Sequence, residues 1–208
     1  MLIYAPPFYP RYFAVTHGKM IQVWKTPGFH REFAPIVLHR TYTGHYDDVT
    51  AITWSPDSKY FLTTSKDMSA RVYSVNPEEG FVPFTLSGHR DTVVGAWFSK
   101  EQDTIYTVSK DGALFEWRNT LINPKEQDDD SDDESPMQVD NGPKRWSAVQ
   151  RHFFFQEHAK VVCAAYHAPS AMMVVGFSNG VFGIWELPSF TNIHTLRYED
   201  QCGKRIKV

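Results

Sequence analysis

Cysteine is scarce in this chain. Only Cys163 and Cys202 occur among 208 residues. Neither has a second cysteine at ligand spacing, which argues against a disulfide framework and a cysteine-built zinc site. Such usage suits a reducing compartment, cytosol or nucleus. No apolar run approaches the roughly 18 residues of a transmembrane helix. The first ten residues hold three prolines and no basic residue ahead of their apolar part, so they do not read as a signal peptide. Helical periodicity is missing nearly everywhere. A nucleophile elbow, a phosphate-cradling loop and a His-Glu-x-x-His helix are all missing. Nine histidines are present, but their spacings suit no known metal site. The sequence therefore implies no catalytic residues, no cofactor, no metal, no membrane partner and no small-molecule substrate.

What is present is a strongly apolar, aromatic chain, 42% hydrophobic and 15% aromatic, too rich in core-forming residues for a disordered protein. Charge is unevenly placed. Residues 124–143 carry eight acidic side chains and one lysine, a net of −7, whereas the whole chain carries −3. The rest is therefore mildly basic, at +4.

The chain repeats itself, which is the strongest signal of fold. Gly44-His45 recurs as Gly88-His89, and Ser65-Lys66-Asp67 recurs as Ser109-Lys110-Asp111, each 44 positions later. Tyr73 and Trp117 stand at the same offset, with no gap between the copies. A third copy fits with one deletion, matching Tyr166 to Trp54, Asn179 to Asp67 and Trp185 to Tyr73. A partial copy precedes them, with Gly18 at the Asp position and Trp24 at the Trp position. Its opening strand is expected to be degraded or absent, since Pro6, Pro7 and Pro10 break it.

Within a copy, short β-branched and aromatic runs alternate with turn residues. Val49–Trp54, Tyr60–Ser65, Ser69–Val75 and Phe81–Leu86 read as four strands. Four strands per 40–45 residues, opened by Gly-His and closed by a Trp-type residue, are the pattern of a WD40 β-propeller blade. The expected fold is all-β, an incomplete WD40-type propeller with about four blades represented. Its boundaries are a partial blade at 1–43, a blade at 44–87, the first three strands of a blade at 88–123, an acidic insert at 124–143, the fourth strand of that blade at 144–157, a degenerate blade at 158–198 and a tail at 199–208. Since it opens inside one blade and its tail begins no new one, the chain reads as a portion of a larger propeller.

The recurring polar residues make physical sense as a network inside each sheet. A histidine in the first loop can bond the aspartate of the second turn, while a hydroxyl on the second strand and an indole on the third complete the set, leaving no buried polar group unpaired. The blade from Gly88 has His89, Asp111 and Trp117, with Thr107 or Ser109 as the hydroxyl. The blade from Gly44 has His45 and Asp67, with Thr63 or Ser65, and Tyr73 replaces the tryptophan. The blade near His158 has Asn179 and Trp185, and a weaker network. Ser, His and Asp together could suggest a hydrolase, but they repeat at one spacing in two blades, where a nucleophile would be expected once. Trp54, Phe98 and Tyr166 occupy matching first-strand positions and are expected between blades. Cys163 is expected to be a small buried side chain.

Between Trp117 and His158 the spacing is 41 positions, against 16 between Tyr73 and His89. The excess is the acidic stretch, which loops out between a third and a fourth strand and cannot bury a core. Ser131 precedes an acidic triplet and Ser135 precedes a proline, so both resemble kinase acceptor sites. The alternative is a plain solvated loop. On the following strand, Lys144, Arg145 and Arg151 flank Trp146 and His152, a mixture able to grip single-stranded RNA. The alternative there is a charged solvent face.

Several less generic segments carry a closer resemblance: Arg31-Glu32-Phe33, Lys66-Asp67-Met68-Ser69, Gly88-His89-Arg90-Asp91, Ser109-Lys110-Asp111-Gly112, and Gly176-Phe177-Ser178-Asn179-Gly180 with Glu186-Leu187-Pro188. With the acidic loop ahead of Phe153-Phe154-Phe155, they make the chain resemble the first propeller of the periodic tryptophan protein 2 family, within the WD40 repeats. That resemblance implies a non-enzymatic scaffold in ribosome biogenesis, part of the UTP-B subcomplex of the small-subunit processome in the nucleolus. The implied partners are other WD40 subunits of a large ribonucleoprotein assembly, precursor ribosomal RNA and small nucleolar RNA. A different class of function remains open, a peptide-recognition propeller acting as substrate adaptor in a ubiquitin ligase or chromatin complex.

Overall fold

A computed structural model describes residues 3–4, 12–26, 36–121 and 144–197. These form sixteen strands in four antiparallel sheets of four. The first sheet holds β1 (Ile3–Tyr4), β2 (Tyr12–His17), β3 (Met20–Lys25) and β4 (Val37–Tyr42). The second holds β5 (Val49–Trp54), β6 (Tyr60–Ser65), β7 (Ala70–Ser74) and β8 (Phe84–Leu86). The third holds β9 (Val93–Phe98), β10 (Thr104–Ser109), β11 (Ala113–Leu121) and β12 (Lys144–Phe153). The fourth holds β13 (Val161–His167), β14 (Met172–Phe177), β15 (Val181–Glu186) and β16 (Thr191–Arg197). Strands follow one another across each sheet in chain order. This is the meander of a propeller blade, and the fold is the all-β WD40 propeller type.

The opening strand of the first blade is degraded and not absent: two residues, Ile3 and Tyr4, pair antiparallel with Val15 and Ala14.

Three apolar clusters hold the blades together, each drawing on two neighbouring sheets. Ala14, Ile21, Val23 and Tyr42 of the first blade pack with Trp54, Phe61 and Tyr73 of the second. Leu62, Val72 and Leu86 pack with Phe98, Ile105 and Trp117. Tyr106, Val108, Leu114 and Phe154 pack with Val161, Met173, Val175 and Trp185, with Tyr166 at the margin. The matching positions Trp54, Phe98 and Tyr166 thus fall in three successive clusters between blades.

Position in the row sets burial. Every residue of β10 is buried, since a blade covers each face of its sheet. In β14 burial alternates, because the described residues place a blade on one face only. Cys163 corrects the sequence reading for this reason. It is exposed, standing beside Gly176 across the β13–β14 ladder on the uncovered face.

The β10–β11 turn of the third blade explains one glycine. Gly112 has φ +90, and a Cβ there would stand 2.5 Å from the Phe154 carbonyl oxygen. The Phe154 amide donates to the Gly112 carbonyl at 2.8 Å. Only a residue without a side chain lets β12 end so close to that turn.

Candidate functional site

In the second blade, His45 Nδ1 donates to Asp67 Oδ2 at 2.9 Å, and its Nε2 accepts from the Thr63 hydroxyl at 2.7 Å. Asp67 also receives the Tyr46 amide at 2.9 Å and the Ser69 hydroxyl at 2.6 Å. Ser65 receives the Asp67 amide at 3.1 Å, bracing the turn. Burial pushes the Asp67 carboxyl up, but the Ser69 hydroxyl, the Tyr46 amide and the His45 ring outweigh it and hold its pKa at about 2. Burial lowers the pKa of His45 against the opposing pull of Asp67, so the ring is a neutral structural member.

The third blade is wired differently. Trp117 Nε1 donates to Thr107 Oγ1 at 2.9 Å, and Thr107 donates on to His89 Nε2 at 2.7 Å. His89 Nδ1 donates to Ser109 Oγ at 2.8 Å, and Ser109 donates to Asp111. Each hydroxyl has one proton, so the chain can run only in this direction, from indole to carboxylate. Asp111 is therefore not bonded to His89 directly; Ser109 stands between them. Burial, the largest influence, brings the His89 pKa down to about 4, with Arg151 lowering it further and Asp111 opposing. The ring also stacks on Phe115, with centroids 4.1 Å apart.

Tyr73 does not join the histidine network of its own blade. Its hydroxyl donates to the Thr43 carbonyl at 3.3 Å, because a phenol reaches past the hydroxyl that an indole N–H would meet. In the fourth blade, Asn179 is exposed and its Oδ1 accepts the Val181 amide at 3.2 Å. No hydrogen bond joins it to His158 among the described residues. Trp185 is buried in the apolar cluster against Phe154 and Phe177.

The basic residues of β12 are not brought together. Arg145 is paired with Thr120, and Arg151 with Phe115. They lie toward opposite ends of the strand, and a bulge opposite Glu116 and Trp117 puts them on opposite faces. Arg151 lies over the Phe115 ring at 4.6 Å. Lys144 continues the strand past Arg145. The flanking aromatics have partners within the chain: Trp146 meets Phe98 edge-on at 6.5 Å, and His152 stacks on Phe190 at 4.3 Å. Ser131 and Ser135 lie outside the described residues. No group of three or more His, Cys, Asp or Glu side chains that could hold a metal lies among the described residues.

Sequence reasoning passed over one feature. Glu116, on the third strand of the third blade, is buried at the floor of a cleft between the third and fourth blades. Its signal was available, since a carboxylate stands where the second blade has Val72.

The geometry agrees with comparison to known proteins. The WD domain, G-beta repeat family matches residues 37–74 and 80–118. Periodic tryptophan protein 2 homolog of Schizosaccharomyces pombe is 53% identical over 188 residues, covering 89% of this chain and 22% of that protein. Periodic tryptophan protein 2 of Saccharomyces cerevisiae is 46% identical over 191 residues, covering 89% and 21%. The homolog of Mus musculus is 32% identical over 223 residues, covering 92% and 24%. The chain thus spans about a fifth to a quarter of the length of these relatives. Its four antiparallel blades are those of a WD40-repeat protein, and over 89% of its length the chain closely resembles proteins named periodic tryptophan protein 2.

Proposed function

We propose that the chain is a non-enzymatic WD40 scaffold in ribosome biogenesis, nuclear and nucleolar, that helps to hold proteins, precursor ribosomal RNA and small nucleolar RNA together during small-subunit RNA processing. The observation that carries this reading is similarity across 89% of the chain to proteins named periodic tryptophan protein 2, whose family the sequence segments already resemble. The polar networks support the scaffold part. Ser, His and Asp side chains that would otherwise suggest catalysis bond one another within the second and third sheets, and rigid blades leave their loops to make contacts.

Lys144, Arg145 and Arg151 on β12 are the RNA candidates, with Arg145 near the end of the β11–β12 hairpin that leads into the acidic stretch and Arg151 over the Phe115 ring. Phosphorylation at Ser131 or Ser135 would add charge to a segment already strongly negative and would repel RNA near that hairpin.

Depleting the gene product and following precursor ribosomal RNA on blots tests this. The expected outcome is accumulation of unprocessed small-subunit precursors, with the tagged protein concentrated in nucleoli. Normal small-subunit processing after depletion would overturn it.

A further inference from the structure

The cleft between the third and fourth blades has about 490 Å³ of space. Glu116 lies at its floor with 1% of its surface exposed, and Tyr106, with 4%, lines one wall. Tyr166 faces Tyr106 from the fourth blade, with ring centroids 5.3 Å apart and planes tilted by 59°. Neither phenol hydroxyl has a hydrogen-bond partner among the described residues, although Tyr106 is almost wholly buried. Burial raises the pKa of both phenols, so they stay neutral and their oxygens can accept.

One carboxylate oxygen is engaged. Arg118 Nε donates to Glu116 Oε1 at 3.0 Å, but the Arg118 side chain remains 57% exposed. The cleft is also lined by Glu101, Asp103 and Lys100. Three carboxylates against two cations leave the lining one negative charge, and of these groups Glu116 is the buried one, where an ion counts for more than in water. The corresponding cleft between the second and third blades has Val72 at the position of Glu116, so blade packing does not require the carboxylate.

We infer that this cleft is a binding site for a basic side chain, an arginine or lysine presented by a partner protein. The cation sits against the tyrosine rings and donates to Glu116 and the phenol oxygens. A nucleic acid does not suit the site, because its phosphates would meet net negative charge. The inference needs only the blade geometry and stands apart from the assembly proposed above: failure of one leaves the other standing.

The test is fluorescence anisotropy on the whole chain, using a blocked, labelled pentapeptide with one arginine between glycines. Controls carry lysine or leucine in its place. The arginine and lysine peptides should bind, and the leucine peptide at least about tenfold more weakly. Glu116→Gln should weaken arginine binding by about tenfold. Arg118→Ala should strengthen it, because a competing cation leaves. A purely structural ion pair predicts no such gain. If Glu116→Gln does not fold, as judged by circular dichroism, Arg118→Ala and Tyr166→Phe decide, since both change partly exposed residues. Equal binding of the leucine peptide, an unchanged affinity in folded Glu116→Gln, or weaker binding in Arg118→Ala overturns the proposal.

Discussion

The third and fourth blades share one strand plan but are held in different ways. The third is sealed by a directed relay from Trp117 through Thr107, His89 and Ser109 to Asp111. The fourth has Asn179 at the position of that aspartate, exposed and capping only its own turn. Its tryptophan, Trp185, contributes apolar packing. A blade can thus be kept in register by its backbone ladders and apolar packing without a buried side-chain relay. The relay matters most where burial is complete, because an unpaired donor inside the third blade has no water to turn to.

Thr107→Val removes the hydroxyl at the centre of the third blade's relay. It orphans both the Trp117 indole and the His89 Nε2, and should cost about 4 kcal/mol in urea unfolding, at about 1–3 kcal/mol per buried unpaired group. A loss under about 1 kcal/mol would mean that the relay is ornamental.

Acid is the next largest perturbation. The His89 pKa falls from an ordinary 6.5 to about 4 on folding. The unfolded chain therefore takes up a proton that the folded chain refuses. Stability from this group is complete above pH 6.5, is lost as pH falls toward 4, and amounts to roughly 3 kcal/mol. His45 adds in the same direction. The Asp67 carboxyl, held at about 2, contributes in full above about pH 4, and its stabilisation fades as pH falls from about 4 toward 2. Urea midpoints that stay flat between pH 7 and 4.5 would contradict neutral, buried histidines.

Asp111→Ala should cost less, about 1.5 kcal/mol, because Ser109 can still accept from His89 and the carboxylate is exposed at its far side. A cost equal to that of Thr107→Val would show that the aspartate anchors the whole relay. The smallest effect is expected in the fourth blade: Asn179→Ala should stay within about 0.5 kcal/mol in the same unfolding assay. A larger loss there would erase the distinction between the two blades.

Much of this was legible from residue spacing. The repeat placed β5 and β6 at their observed limits, because turn residues punctuate β-branched runs sharply there. It also put His45 opposite Asp67, since 22 positions is one loop, two strands and a turn. It did not reveal that Ser109 would intervene between His89 and Asp111. The two blades have identical Ser-Lys-Asp turns, and only the placement of side chains separates a direct bond from a relayed one. The grouping of Lys144, Arg145 and Arg151 failed for a similar reason. A single extra residue at a bulge reverses the side-chain alternation.

The sequence alone determined that this chain forms four-stranded blades, because turn residues recur at short spacings between runs with a period of two. Tertiary structure decided what each face meets. Leu62 and Val174 hold equivalent strand positions, yet Leu62 is 1% exposed and Val174 is 39% exposed, because the described residues place another blade against one and not the other. Cys163 is exposed and Glu116 buried on the same principle: burial belongs to the neighbour that covers a face, and no local pattern encodes that neighbour.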